Sequence, residues 1–150
     1  LSLAHRFARL DDKKWKATEM THYIVVADET DLRAMSGIVA ALAPDADVEI
    51  VEADGKNFAY SLGRTIVVEE NSPTVVVIDA GTENREIIRD IEINFDDLVT
   101  SLPGDAPLTL ILAVPNLEIA RDDEEFKEKL LAFIESNENT FRSRFDLGPR

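Results

Sequence analysis

The run Thr74-Val75-Val76-Val77-Ile78-Asp79-Ala80-Gly81-Thr82 constrains this chain more than any other stretch. Five residues are apolar or β-branched, and the sixth is a carboxylate. Without polar alternation, such a segment reads as a strand buried on both faces, the pattern of a parallel sheet covered by helices. Open sheets of that kind take ligands at the carboxyl ends of their strands. Asp79 is thereby placed on the ligand edge, and a second acidic group, Asp28 and Glu29, follows another such segment at Ile24-Val25-Val26.

Strand and helix signals alternate along the rest of the chain. A strand at Tyr23 to Val26 leads into a helix from about Asp31 to Leu42, where Leu32, Met35, Ile38, Val39 and Leu42 keep helical spacing and Thr30 or Asp31 supplies a cap. Val48 to Val51 reads as a second, shorter strand. Asp54-Gly55-Lys56-Asn57 is a turn, and Phe58 to Glu69 follows as a helix despite the β-branched run Thr65-Ile66-Val67-Val68. After the strand ending at Asp79, Glu83 to Asp90 reads as a polar segment, helical or irregular. A short helix over Phe95 to Leu102 ends at Pro103-Gly104-Asp105, a fourth strand runs from Leu108 to Val114, and a last helix spans about Asp122 to Glu135. The acids Asp122, Asp123, Glu124 and Glu125 fall where a helix start favours negative charge. This order predicts a single α/β domain, a three-layer sandwich on a mainly parallel four-stranded sheet.

A chain of 150 residues is about one domain long and needs no covalent staple. It has no cysteine, which removes disulfides, thiolate metal sites and cysteine nucleophiles, and fits a reducing compartment, with the cytoplasm as the expected location. Charge interrupts every apolar run well before the roughly 18 residues of a membrane span, so no membrane association is expected. The net charge is −14, yet residues 1 to 19 carry +2, leaving −16 on the remainder. So acidic a surface repels nucleic-acid phosphate, so nucleic acid is a disfavoured partner that would need a local basic patch or a metal bridge, and a protein partner is open as well. Residues 1–19 read as an N-terminal extension or docking arm with Phe7, Leu10 and Trp15 as apolar surface; 20–136 is the α/β domain and 137–150 a tail.

Individual residues admit a plain structural role beside a functional one. Asp79 is a ligand-edge carboxylate or the cap of a turn. Glu118 is a site acid or a solvated loop residue. Gly55 and Lys56 suit phosphate contact through backbone amides and a point charge, or an ordinary turn. His5 and His22 are too far apart in sequence to suggest a metal pair, and no serine has nucleophile-elbow surroundings.

With Asp28, Glu29, Asp79 and Glu118 at strand ends, the stretch from about residue 22 to 119 resembles the Toprim domain, the α/β metal-binding module of topoisomerases, primases and nucleases of the overcoming-lysogenization-defect type. The resemblance rests on Ile24-Val25-Val26-Ala27-Asp28-Glu29-Thr30-Asp31, Asp54-Gly55-Lys56-Asn57, Val77-Ile78-Asp79-Ala80-Gly81-Thr82 and Ala113-Val114-Pro115-Asn116-Leu117-Glu118, in the family's order. It implies a Toprim-like or flavodoxin-like sheet and a Mg²⁺ site drawn from Asp28, Glu29, Asp79 and Glu118. Ala27 stands in place of the family's glutamate, Asp28 in place of its glycine, and Gly81 in place of its second aspartate. Mg²⁺ requires oxygen ligands in near-octahedral geometry, so the expected Mg²⁺ binding is weak or absent. The implied protein is a binding or regulatory component with an eroded site. The enzyme alternative is a Mg²⁺-dependent nuclease or nucleotidyl-transfer domain with a rearranged acid cluster.

The opening strand with Asp28-Glu29, together with Asp79, is also similar to a response-regulator receiver domain, which would make Asp79 a phosphoacceptor. This chain ends its fourth strand in Ala113-Val114-Pro115, without a Ser or Thr, and carries no fifth strand with a terminal Lys.

Overall fold

The computed structural model describes residues 21–102 and 107–136. Within them the chain runs β1 (His22–Val26), α1 (Glu29–Leu42), β2 (Val48–Glu52), α2 (Lys56–Glu70), β3 (Thr74–Asp79), α3 (Arg85–Thr100), β4 (Leu108–Ala113), α4 (Leu117–Ala120) and α5 (Glu124–Glu135). The expected extension at 1–19, the breaker Pro103-Gly104-Asp105 and the tail at 137–150 lie outside the described residues.

All four strands are parallel and ordered β2-β1-β3-β4. Ile24 sits between Ile50 and Val75, and Asp79 pairs with Ala113. Every residue of β1 is buried, as are the first five of β3, which is why both lack alternation. One face of the sheet packs Ile24, Val26, Val75 and Val77 against α1 and α5, with Met35, Phe126 and Leu130 at the centre. The other packs Tyr23, Val25, Val76 and Ile78 against α2 and α3 through Ala59, Ile66, Val67 and Phe95. These are the two outer layers of the sandwich. No helix among the described residues is long and apolar enough to cross a membrane.

Several local expectations are corrected. Helix α1 starts at Glu29, and its cap is Asp28 rather than Thr30 or Asp31. Helix α2 begins at Lys56, inside the expected turn, and holds through Thr65 to Val68. The β-branched residues cost helix propensity of only a few tenths of a kcal/mol each, whereas burying a side chain the size of Ile66 or Val67 is worth about 1.5–3 kcal/mol. Both are 1% exposed. Helix α3 is continuous over a stretch expected to divide into a polar segment and a short helix. Asn84 caps it by accepting from the Glu86 and Ile87 amides, and no Gly or Pro interrupts residues 85–100, so nothing stops propagation through Asp90 to Asn94. The expected strand residue Val114 lies just past β4, and the four-acid run divides, with Asp123 as cap and Glu124 and Glu125 in the first turn of α5.

Gly63 sets the depth of α2. A Cβ there would lie 2.9 Å from Val76 Cγ2 and 3.3 Å from Leu108 Cδ1, so only glycine lets the helix approach β3 and β4 this closely.

Candidate functional site

The chain leaves β1 toward β2 on one side and later returns to β3 on the other, so β1 and β3 form the topological switch point of the sheet. Helix α1, after β1, packs on one face, and α3, after β3, on the opposite face. Connections that diverge in this way leave a crevice at the carboxyl ends of the two strands. Asp28 and Asp79 flank it.

Asp28 has an extended backbone (φ −153°, ψ 179°), and its Oδ1 accepts the Asp31 amide at 2.9 Å. It thereby satisfies one of the orphan donors of α1, a role worth about 0.5–2 kcal/mol. Ala27 is buried and its carbonyl accepts the Gly55 amide at 2.9 Å, tying the exit of β1 to the start of α2. Glu29 is exposed and forms an i,i+4 ion pair with Arg33 at 2.8 Å. A pair of that kind contributes only about 0.3–0.5 kcal/mol.

Asp79 is half-buried at the end of β3, where its Oδ1 accepts the Leu117 amide at 2.7 Å. Leu117 opens α4, so Glu118 lies in a short helix and not in a loop. Asn116 satisfies the Ile119 amide of the same short helix at 3.0 Å. Two more bonds fasten the exit of β3 to that of β4: Ala80 N–H to the Ala113 carbonyl (2.8 Å) and Gly81 N–H to the Pro115 carbonyl (2.7 Å). Glu118 is exposed in the first turn of α4.

Asp31, expected only as a possible cap, is the most perturbed acid of the crevice. Its pKa is raised to about 6, first by burial, then by the negative charges of Asp79 and Asp28, with Lys56 pulling the other way. Asp28, Asp31, Asp79 and Lys56 therefore share one electrostatic environment. The signal was present in sequence: a spacing of three sets Asp31 on the same side of the first helical turn as the capping Asp28. Gly81 adopts a positive φ (+73°) that favours glycine, and the Lys56 ammonium lies beside it, 3.9 Å from where a Cβ would stand, an ordinary contact distance.

The structure thus brings Asp28 and Asp79 to one crevice, adds Asp31 and Lys56, turns Glu29 toward Arg33, and sets Glu118 on the exposed start of α4. Among the described residues, no group of three or more His, Cys, Asp or Glu side chains is arranged to hold a metal ion. Ala27 and Gly81, at two positions where the Toprim resemblance implies acids, carry no oxygen-donor side chain. His22 lies at the opposite edge of the sheet, buried, with Nε2 2.6 Å from the Ser136 carbonyl and its ring edge-on to Phe133. Comparisons of the chain with protein-family models, curated proteins and solved structures find no match.

Proposed function

We propose that this domain is a Toprim-like binding or regulatory component with an eroded Mg²⁺-binding cluster, and that it is not an independent nuclease. The observation that carries this reading is the use made of the crevice acids. Asp28 and Asp79 each commit one oxygen to a helix N-terminus, Asp28 to the Asp31 amide and Asp79 to the Leu117 amide. A carboxylate in this role keeps a second oxygen, which supports at most weak cation binding. Two-metal phosphoryl chemistry needs several carboxylates converging on a pair of ions about 3.5–4 Å apart. Neither Ala27 nor Gly81 supplies one. The domain acts within the cytoplasm through a protein partner, its strong negative charge opposing nucleic acid.

One observation favours the enzyme alternative: Asp79 and Asp28 both raise the pKa of Asp31, and such mutual repulsion is what a bound cation would relieve. A cleavage assay separates the two. Purified protein with Mg²⁺ and single- or double-stranded DNA or RNA is expected to give no cleavage above background. Robust cleavage that is lost in Asp79→Asn would replace this reading with the nuclease. As a receiver, the domain would take a phosphoryl group on Asp79 from a small donor; no adduct on that residue is expected by mass spectrometry.

A further inference from the structure

The sheet ends on β4, and the direction of that strand's outer backbone groups follows from two hydrogen bonds. The Thr74 amide donates to the Pro107 carbonyl at 2.9 Å, and the Ala80 amide to the Ala113 carbonyl at 2.8 Å. Backbone groups alternate in direction along a strand, so those of Thr109, Ile111 and Ala113 point toward β3 and those of Leu108, Leu110 and Leu112 point away from the sheet. Among the described residues, no other backbone group bonds to these outward amides and carbonyls. Sheet edges are ordinarily guarded by charge, Pro or a bulge. The opposite edge strand, β2, carries Glu49 and Glu52. By contrast, Leu108-Thr109-Leu110-Ile111-Leu112-Ala113 has no charge and no Pro, and it pairs with β3 without a bulge.

Helix α3 carries a matching feature in the layer above. It packs over β4, whereas α2 lies mainly over β1 and β3, so α3 is the outer helix of that face. Its residues Ile91, Asn94 and Leu98 face Asn57 and Tyr60 of α2, and Phe95 is buried toward the sheet. Helical spacing then turns the row Arg85, Arg89, Glu92 and Asp96 to the flank opposite α2, on the side of the β4 edge. All four are exposed, and none forms an ion pair among the described residues. The first half of the row is basic and the second half acidic. Because α3 runs back along the sheet from the end of β3 to the start of β4, the middle of this row lies near the level of Leu110.

We propose that this edge is an interface with a second copy of the chain, β4 pairing antiparallel with β4 of the other copy about a twofold axis at Leu110. The pairing sets Leu110 opposite Leu110 and Leu108 opposite Leu112, apolar on apolar with no like charges opposed, and each such pair exchanges both backbone hydrogen bonds. The rotation keeps both α3 helices on one face and reverses their direction, so Arg85 and Arg89 of one copy meet Glu92 and Asp96 of the other. A twofold contact requires a surface complementary to itself in this way. Each copy carries a net charge of −14, a repulsion that physiological salt screens beyond about 8 Å, while the opposed charge rows act at contact.

Sedimentation equilibrium of the full chain at physiological salt, from micromolar to sub-millimolar concentration, is expected to show a reversible monomer–dimer equilibrium. Hydrogen exchange reads the edge itself: the Leu110 and Leu112 amides slow as concentration rises, while Ile111, bonded to β3, is protected throughout. An all-basic row, Glu92→Arg with Asp96→Arg, and an all-acidic row, Arg85→Glu with Arg89→Glu, each weaken dimerisation by at least about tenfold, and an equimolar mixture of the two forms the heterodimer. Leu110→Pro removes an amide that β3 does not use and abolishes the dimer, whereas Ile119→Glu, at an exposed site on α4, leaves it intact. The row variants, on an exposed flank, carry the test if Leu110→Pro does not fold. A chain that stays monomeric at the highest concentration overturns the proposal. So does a dimer that survives either the row substitutions or Leu110→Pro, and so do Leu110 and Leu112 amides protected equally at all concentrations, which would identify another part of the chain on the edge.

Discussion

Asp31→Asn is expected to stabilise the protein at neutral pH. The folded-state pKa of Asp31 is about 6 against an ordinary value of 3.8, so the folded protein binds its proton more tightly than the unfolded chain does. The associated stability is fully present below the unfolded value, declines as pH rises through the folded one, and is gone above it. A shift of that size corresponds to about 3 kcal/mol at full weight. Asp31 is only half-buried, and solvent screening reduces the figure to about 1 kcal/mol. Asparagine removes the charge with little change in helix propensity. The variant should therefore equal the parent near pH 4 and exceed it by about 1 kcal/mol at pH 7.5, a gain of about 2–4 °C in midpoint for a chain of this length. Urea unfolding of both proteins at pH 4, 5, 6 and 7.5 is the assay. A variant less stable at pH 7.5, or a difference that does not change with pH, would refute the electrostatic coupling of the crevice.

Asp79→Ala removes a charge-assisted hydrogen bond of about 1.5–3 kcal/mol to the Leu117 amide and also a repulsion acting on Asp31. A net loss of about 1–2 kcal/mol is expected in denaturant unfolding, together with a fall in the Asp31 pKa by carboxyl NMR; a rise in that pKa would contradict the arrangement. Gly63→Ala gains about 1 kcal/mol of helix propensity but forces a Cβ to within 2.9 Å of the stiff, buried Val76. Overpacking of this kind costs about 1–3 kcal/mol, so calorimetry should show a net loss of about 1 kcal/mol, and a stabilised variant would refute the close approach.

The sheet was legible because its central strands are continuous apolar runs with acids at their ends; β1 and β3 needed no long-range information. The ends of α1 and α3 were less so. Asp28 reads in sequence as a strand-end ligand, and only the path of the backbone after Val26 turns it into a cap. The polar residues Asp90, Glu92 and Asn94 mask the continuity of α3, because only Phe95 of that helix is fully buried and its remaining apolar residues are partly exposed. Helix α4 is four residues long and carries no periodic signal; it is fixed by Asn116 nearby and by Asp79, which is 38 residues away in sequence. That tertiary bond is also what changes the meaning of Asp79, from a free strand-end carboxylate to one already engaged. Lys56 was visible as a turn lysine, whereas its approach to Gly81 depends on how α2 is seated against the sheet.

Calorimetric titration of Mg²⁺ into the unaltered protein and Asp79→Asn at moderate salt tests the eroded-site account most directly. The account predicts either no heat or weak heats that do not saturate in the low-millimolar range and that disappear in Asp79→Asn. Tight, saturable binding would show a competent metal centre and contradict it, as would binding unchanged in Asp79→Asn.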